Sequence, residues 1–279
     1  MSIRTKVQSA LAAFGYRLIR LPTTASSGFD IMDRKTTIRG EDRSRGPARG
    51  DLERWFRAGE PVDVFKWQHY FDVYERHFAP LRGRPGLKIL EIGVFKGGSL
   101  RMWKSYFGAD ATVVGVDIDS GCQQHERAAE KIHVRIGDQA SASFLASLHA
   151  EFGPFDVVID DGGHTTTQQI ESFLHLYFSA MTEEGIYLVE DLHTNYWPDF
   201  MNHPRGLTFV DLALELAHKL HDVYVGRRAE FERFSVTSPD RFDAIEVSAF
   251  CAQTRSIHIH DSIIVFERGR KTIPYTEMR

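Results

Sequence analysis

Two short stretches carry the residue types that could do chemistry together. "VVIDDGGHTTTQQI" (157–170) ends an apolar run on Asp160 and Asp161, then brings His164 back across two glycines. "GIYLVEDLHTNYWP" (185–198) ends another apolar run on Glu190 and Asp191. Adjacent acids repel, and burying them costs free energy unless a cation or hydrogen-bond donors compensate. One reading is an ordinary strand end with an acidic turn and a helix cap at Thr165. The other is a site, in which the carboxylates hold a cation and His164 moves a proton near neutral pH.

The elements that must position these residues follow from the hydrophobic period. Apolar runs at 87–94, 111–118, 132–138, 155–161 and 185–191 alternate with helical patterns such as "GSLRMWKSYF", "QQHERAAE", "SFLASLHAEF" and "TQQIESFLHLYFSAM". Five short strands with helical crossovers predict an α/β fold with a parallel sheet covered on both faces. The tail differs: 244–250 and 256–268 have no helix between them and are expected to pair as an antiparallel hairpin at the sheet edge. Ahead of the first strand, Trp67, Phe71, Tyr74 and Phe78 fall on one helical face.

The main domain is expected over 51–279. Residues 1–22 place Ile3, Val7, Leu11, Phe14 and Leu18 at helical spacing beside Arg4, Lys6, Arg17 and Arg20. That pattern suits a helix docked on its own domain or on a second copy of the chain, or one that meets a membrane surface or a partner. Residues 23–50 are polar and lack a sustained period, as in a linker or partly disordered segment. The 279 residues are 42% hydrophobic with a formal net charge of −4, so no global positive field argues for nucleic acid. Cys122 and Cys251 make no disulfide framework and no metal-ligand spacing, which suits a reducing cytoplasm. No apolar run approaches the ~18 residues of a membrane span, and the N-terminus has no signal-peptide core.

In open α/β sheets, ligands sit beyond the carboxyl ends of the strands. The first strand runs into "LEIGVFKGGSL", where Gly93, Gly97 and Gly98 allow a tight turn and close backbone approach to a ligand. The second ends at Asp117, where an acid can hold both ribose hydroxyls, and the third ends in "GDQ", with Asp138 placed for an adenine amino group. This succession resembles the class I S-adenosylmethionine-dependent methyltransferases. The resemblance covers about 60–268 and implies a Rossmann-like seven-stranded sheet whose last strand is inserted antiparallel. It also implies adenosylmethionine held by Glu91, Gly93, Gly97, Ser99, Asp117, Asp138 and Asp160.

Strands four and five are neighbours in that fold, so Asp161, Glu190 and Asp191 are expected to converge. All-oxygen ligation selects a hard cation, Mg²⁺ first, with Mn²⁺ or Ca²⁺ as substitutes; a cluster salt-bridged to Lys or Arg is the alternative. The two opening stretches resemble the metal-dependent sugar O-methyltransferases of macrolide biosynthesis, of the mycinamicin and tylosin type. "LEIGVFKGGSLRMW" is similar to the rhamnosyl O-methyltransferase and cephalosporin hydroxylase group. The macrolide resemblance implies Mg²⁺ on Asp161, Glu190 and Asp191 and a base at His164; Gly163 departs from its usual Ser. Tyr196 and Trp197 offer flat faces to a sugar ring or pack as wall residues. Lys66, Trp67, His69 and Tyr70 are expected on a helix covering the cofactor. The function expected is methyl transfer from adenosylmethionine to a sugar hydroxyl of a glycan, glycolipid or glycosylated metabolite. An Fe(II) hydroxylase and a non-catalytic adenosine-nucleotide-binding protein are the competing readings.

Overall fold

Aliphatic and β-branched runs build the sheet, in a computed structural model that describes residues 36–38, 46–59, 63–227, 231 and 244–274. The strands are β1 (Lys88–Ile92), β2 (Thr112–Asp117), β3 (Ile132–Ile136), β4 (Phe155–Asp160), β5 (Met181–Val189), β6 (Thr254–His260) and β7 (Ile263–Arg268). They form one seven-stranded sheet in the order β3-β2-β1-β4-β5-β7-β6. β1 to β5 pair in parallel, and β7 is antiparallel to both β5 and β6. Every residue of β4 is buried, as a strand covered on both faces requires.

Helices supply the two covers. α1 (Asp51–Arg57), α2 (Tyr70–Phe78) and α3 (Gly98–Phe107) pack on one face around Leu52, Tyr74, Trp103 and Val113. α4 (Ala142–Phe152), α5 (Thr166–Ser179), α6 (Phe209–Lys219) and α7 (Ala249–Gln253) pack on the other around Leu148, Phe173, Phe209 and Phe266. Thr165 starts α5 with a capping box: its side chain accepts from the Gln168 N–H, and the Gln168 side chain answers the Thr165 backbone. The direction of winding reverses between β1 and β4, which opens a crevice at their carboxyl ends.

Three expectations need correction. The edge hairpin exists, but both of its strands come from 254–268, because Asp261 and Ser262 turn the chain where the sequence reads as one strand. Ser262 takes a left-handed φ of 64° there, and the 244–250 segment instead leads into α7, capped by the Ser248 hydroxyl. After β2 the chain forms short 3-10 turns at Ser120–His125 and Ala128–Glu130 rather than a helix, with Asp119 capping the first. α2 starts at Tyr70, so Lys66, Trp67 and His69 precede it and Trp67 stands outside the buried Phe71–Tyr74–Phe78 stripe.

The chain divides into two compact units, Met1–Pro47 and Ala48–Arg279. The expected 1–22 helix and most of the 23–50 linker lie outside the described residues.

Candidate active site

The loop after β1 and the loop after β4 touch at a point that admits only glycine. Gly93 has φ 98°, and a Cβ there would stand 2.0 Å from the Asp161 carbonyl oxygen. The β1 loop is then held by Asp117, whose Oδ2 accepts the Val94 and Phe95 N–H groups at 2.9 and 3.0 Å. Its Oδ1 accepts the Asp119 N–H at 2.9 Å. Burial works to raise the Asp117 pKa, but these backbone donors prevail and hold it below the usual carboxylate range.

The crevice holds a cavity of about 480 Å³, large enough for a cofactor-sized ligand. Gly93, Ser99, Asp117 and Asp138 line it, together with Asp161, His164, Glu190 and Asp191. Three expected cofactor residues do not. Glu91 is fully buried and accepts hydrogen bonds from Ser99 Oγ (2.7 Å) and Trp103 Nε1 (2.8 Å), so it anchors α3. Burial pushes its carboxyl up to about 7, against the pull of Lys66. Gly97 is the left-handed hinge before α3, where a Cβ would strike the His125 ring. Asp160 faces the opposite core, where it accepts from Ser172 Oγ and from Gln139 Nε2 at 3.0 Å. Burial raises its pKa as well.

Asp161, His164 and Asp191 do converge: one potential ligand atom from each lies within 4.8 Å of the others. His164 (φ 59°) and Asp191 (φ 55°) reach this position through left-handed backbone, which costs free energy in residues bearing a Cβ. His164 Nε2 is 3.5 Å from Asp191 Oδ2, and the Tyr70 hydroxyl donates to Asp191 Oδ1 at 2.6 Å. Glu190 sits deeper. It accepts from the Tyr74 hydroxyl at 2.6 Å and from Lys66 Nζ at 2.9 Å. Lys66 also donates to Asp161 and lies 3.9 Å from Glu91.

Lys66 therefore stands between Asp161 and Glu190. Burial disfavours its charge, yet the carboxylates of Asp161, Glu190 and Glu91 override this and hold it above its ordinary range. Glu190 is pushed upward first by burial and then by Asp161, while Lys66 and Tyr74 oppose the shift. Lys66 is thus shared by three acids, Asp161, Glu190 and Glu91. His164 Nδ1 is buried with no hydrogen-bond partner. The clustered oxygen donors of Asp161, Glu190 and Asp191 fit a hard divalent cation.

The aromatic pair ends up on the rim. Tyr196 and Trp197 are 73% and 50% exposed, and neither lines the cavity. Trp197 packs edge-on against His193, whose ring meets Trp67, a lining residue, with centroids 4.8 and 5.7 Å apart. The sequence reading missed Lys66 as an ion, and also Tyr74 and Gln139. Gln139 Oε1 accepts the Gly163 N–H at 2.9 Å and ties the β3 loop to the β4 loop. Its position beside Asp138 in "GDQ" was the available signal.

Strand order, antiparallel β7 and a crevice at the β1/β4 switch together define a class I methyltransferase fold. The methyltransferase-domain family Methyltransf_24 matches residues 90–192. Over 261 residues the chain is 32% identical to the 8-demethyl-8-(2-methoxy-alpha-L-rhamnosyl)-tetracenomycin-C 3'-O-methyltransferase of Streptomyces olivaceus, covering 88% of this chain and 59% of that enzyme. Over 214 residues it is 40% identical to the mycinamicin VI 2''-O-methyltransferase of Micromonospora griseorubida, covering 74% and 50%. The solved structure of the methyltransferase MycE from the mycinamycin biosynthetic pathway, in complex with Mg and SAH, matches with a TM-score of 0.62 at 30% identity, over 81% of this chain and 56% of that one. The chain therefore has the class I methyltransferase fold, matches a methyltransferase domain over 90–192, and is similar to these O-methyltransferases. It spans about half the length of these relatives.

Proposed function

We propose that the protein is a divalent-metal-dependent O-methyltransferase that moves the methyl group of S-adenosylmethionine to a sugar hydroxyl of a glycosylated small molecule. The observation that carries this reading is one cavity lined by Gly93, Asp117 and Asp138 and also by Asp161, His164 and Asp191. The relatives named above are sugar O-methyltransferases, and the MycE structure holds Mg and SAH.

In this reading Asp117 accepts from the ribose hydroxyls, Asp138 accepts from the adenine amino group, and Gly93 lets the backbone approach the cofactor. Asp161, Glu190 and Asp191 hold the cation, Mg²⁺ first and Mn²⁺ as a substitute, in exchange for the Lys66 contacts. A bound divalent cation supplies charge that makes a sugar hydroxyl more acidic. His164 removes the hydroxyl proton: Nε2 faces Asp191, Nδ1 has no other partner, and the Asp191 carboxylate stabilises the imidazolium that results. The deprotonated oxygen bonds to the methyl carbon as the carbon–sulfur bond breaks, leaving adenosylhomocysteine. Trp67 and Trp197 offer apolar faces to the sugar ring. Two buried, unpaired cysteines and the intracellular cofactor suit the cytoplasm.

An Fe(II) hydroxylase needs two histidines and one carboxylate. Here two carboxylates converge with one histidine, and the nearby His193 Nδ1 is occupied by Ser262 Oγ at 2.7 Å. The test is calorimetry with adenosylmethionine in the absence of metal. Wild type should bind, and Asp117→Ala should lose about 1–3 kcal/mol of affinity. Equal affinity in the two proteins would show that the ribose sits elsewhere.

A further inference from the structure

A second cluster of metal-ligating side chains lies where α2 meets the edge hairpin. His77, in the last turn of α2, places Nδ1 2.9 Å from Glu267 Oε1 on β7. His258, on β6, places Nε2 3.6 Å from Glu267 Oε2. One potential ligand atom from each of the three lies within 4.8 Å of the other two. Metal–nitrogen bonds of about 2.0–2.1 Å put neighbouring donors of a tetrahedral site roughly 3.3 Å apart, the scale of these separations.

We infer that His77, His258 and Glu267 form a second metal site, for a borderline divalent cation of the zinc class, that ties α2 to the β6–β7 hairpin. Two imidazoles and one carboxylate suit such a metal better than Mg²⁺, which prefers oxygen ligands and retained waters. The surroundings complete the case. His77 is only 4% exposed, so packing fixes its ring. Its other nitrogen, Nε2, is 3.2 Å from His260 Nε2. Two imidazole nitrogens that close share a single proton. With Nδ1 as the ligand, the His77 Nε2–H donates to His260, the outward hydrogen bond that orients metal-bound histidines. Ser256 Oγ stands 2.9 Å from His258 Nε2 and donates to Glu267 Oε2 at 3.0 Å, holding the two side chains toward each other. Burial lowers the proton affinity of His77 and His260, and Arg76 and His258 add to this; Glu267 opposes it at His77.

The site also has a consequence for the cavity. The same helix carries Tyr70 and Tyr74, which donate to Asp191 and Glu190. Clamping its last turn to the hairpin fixes the helix that holds those acids.

Co²⁺ titration of the full chain in excess Mg²⁺, followed by visible absorbance, tests the inference, because four-coordinate Co²⁺ absorbs far more strongly than six-coordinate. One equivalent should develop intense bands that Zn²⁺ abolishes. His258→Ala and Glu267→Gln should each weaken binding at least about tenfold, whereas His164→Ala should not. Zn²⁺ should raise the melting temperature of wild type but not of His258→Ala, whose partly exposed side chain can be removed without opening the core. Weak six-coordinate bands, intense bands that survive in both variants, or bands lost in His164→Ala would each overturn the inference.

Discussion

His164 and Asp191 both occupy left-handed backbone, and both face the same cavity. A strained turn that only presented a helix cap would not need a histidine, since Thr165 already caps α5. The account therefore assigns proton transfer to His164 and cation binding to the acids, and the two roles respond differently to substitution. His164→Ala should lower turnover by about 10²–10⁴ while leaving adenosylmethionine and Mg²⁺ affinities near those of wild type. Asp161→Asn should weaken Mg²⁺ and regain activity in excess Mg²⁺, because mass action offsets a lost ligand but not a lost base. Steady-state kinetics across a Mg²⁺ series would separate them. A His164→Ala protein rescued by Mg²⁺ would make His164 a ligand.

At the scale of elements, the ends of β1, β4 and β5 bring Glu91, Asp161 and Glu190 around Lys66, and this arrangement predicts a proton balance. Burial holds Glu91 at about 7 and pushes Glu190 above its ordinary range. An acid whose pKa is raised in the folded state contributes stability at low pH and loses it as pH climbs through the folded value. Metal-free protein should accordingly lose thermal stability between about pH 5 and pH 8, and Mg²⁺, by binding ionised Glu190, should reduce that loss. Mg²⁺ binding near pH 6.5 should also release protons, seen as a dependence of calorimetric heat on buffer ionisation enthalpy. Heats that do not vary with buffer would contradict it. The same strand ends show what a linear reading can reach. Apolar runs closing on acids made the strands and their carboxyl ends legible, and Gly93 was legible as a glycine of close approach, though what it approaches is the Asp161 carbonyl and not the ligand expected from sequence. The fate of each acid was less so. Glu91 and Asp160 belong to the strands themselves and turn into the helix layers, while Asp161 and Asp191 lie just past them and reach the cavity. Lys66 was hidden for another reason: it meets Asp161 across 95 residues of chain, and no local pattern encodes that pairing. The hairpin was misplaced because Asp261 and Ser262 interrupt a run whose apolar alternation continues on both sides.

On the scale of the whole molecule, two helix layers and a reversed strand order open a crevice at the β1/β4 switch, with a rim of Trp67, His193 and Trp197 beside the acid cluster. Asp117 and Asp138, proposed to hold ribose and adenine, lie toward β2 and β3, and the acid cluster lies toward β4 and β5, so in the proposed reaction the methyl donor and the hydroxyl acceptor meet over β1 and β4. The chain spans about half the length of the O-methyltransferases it resembles. The most direct measurement is adenosylhomocysteine release from adenosylmethionine with a panel of deoxysugar glycosides, run with Mg²⁺ and with EDTA. The account predicts release that needs both a glycoside and Mg²⁺, stops in EDTA, and returns when Mg²⁺ or Mn²⁺ is restored. Turnover of a glycoside at an undiminished rate in EDTA would contradict it.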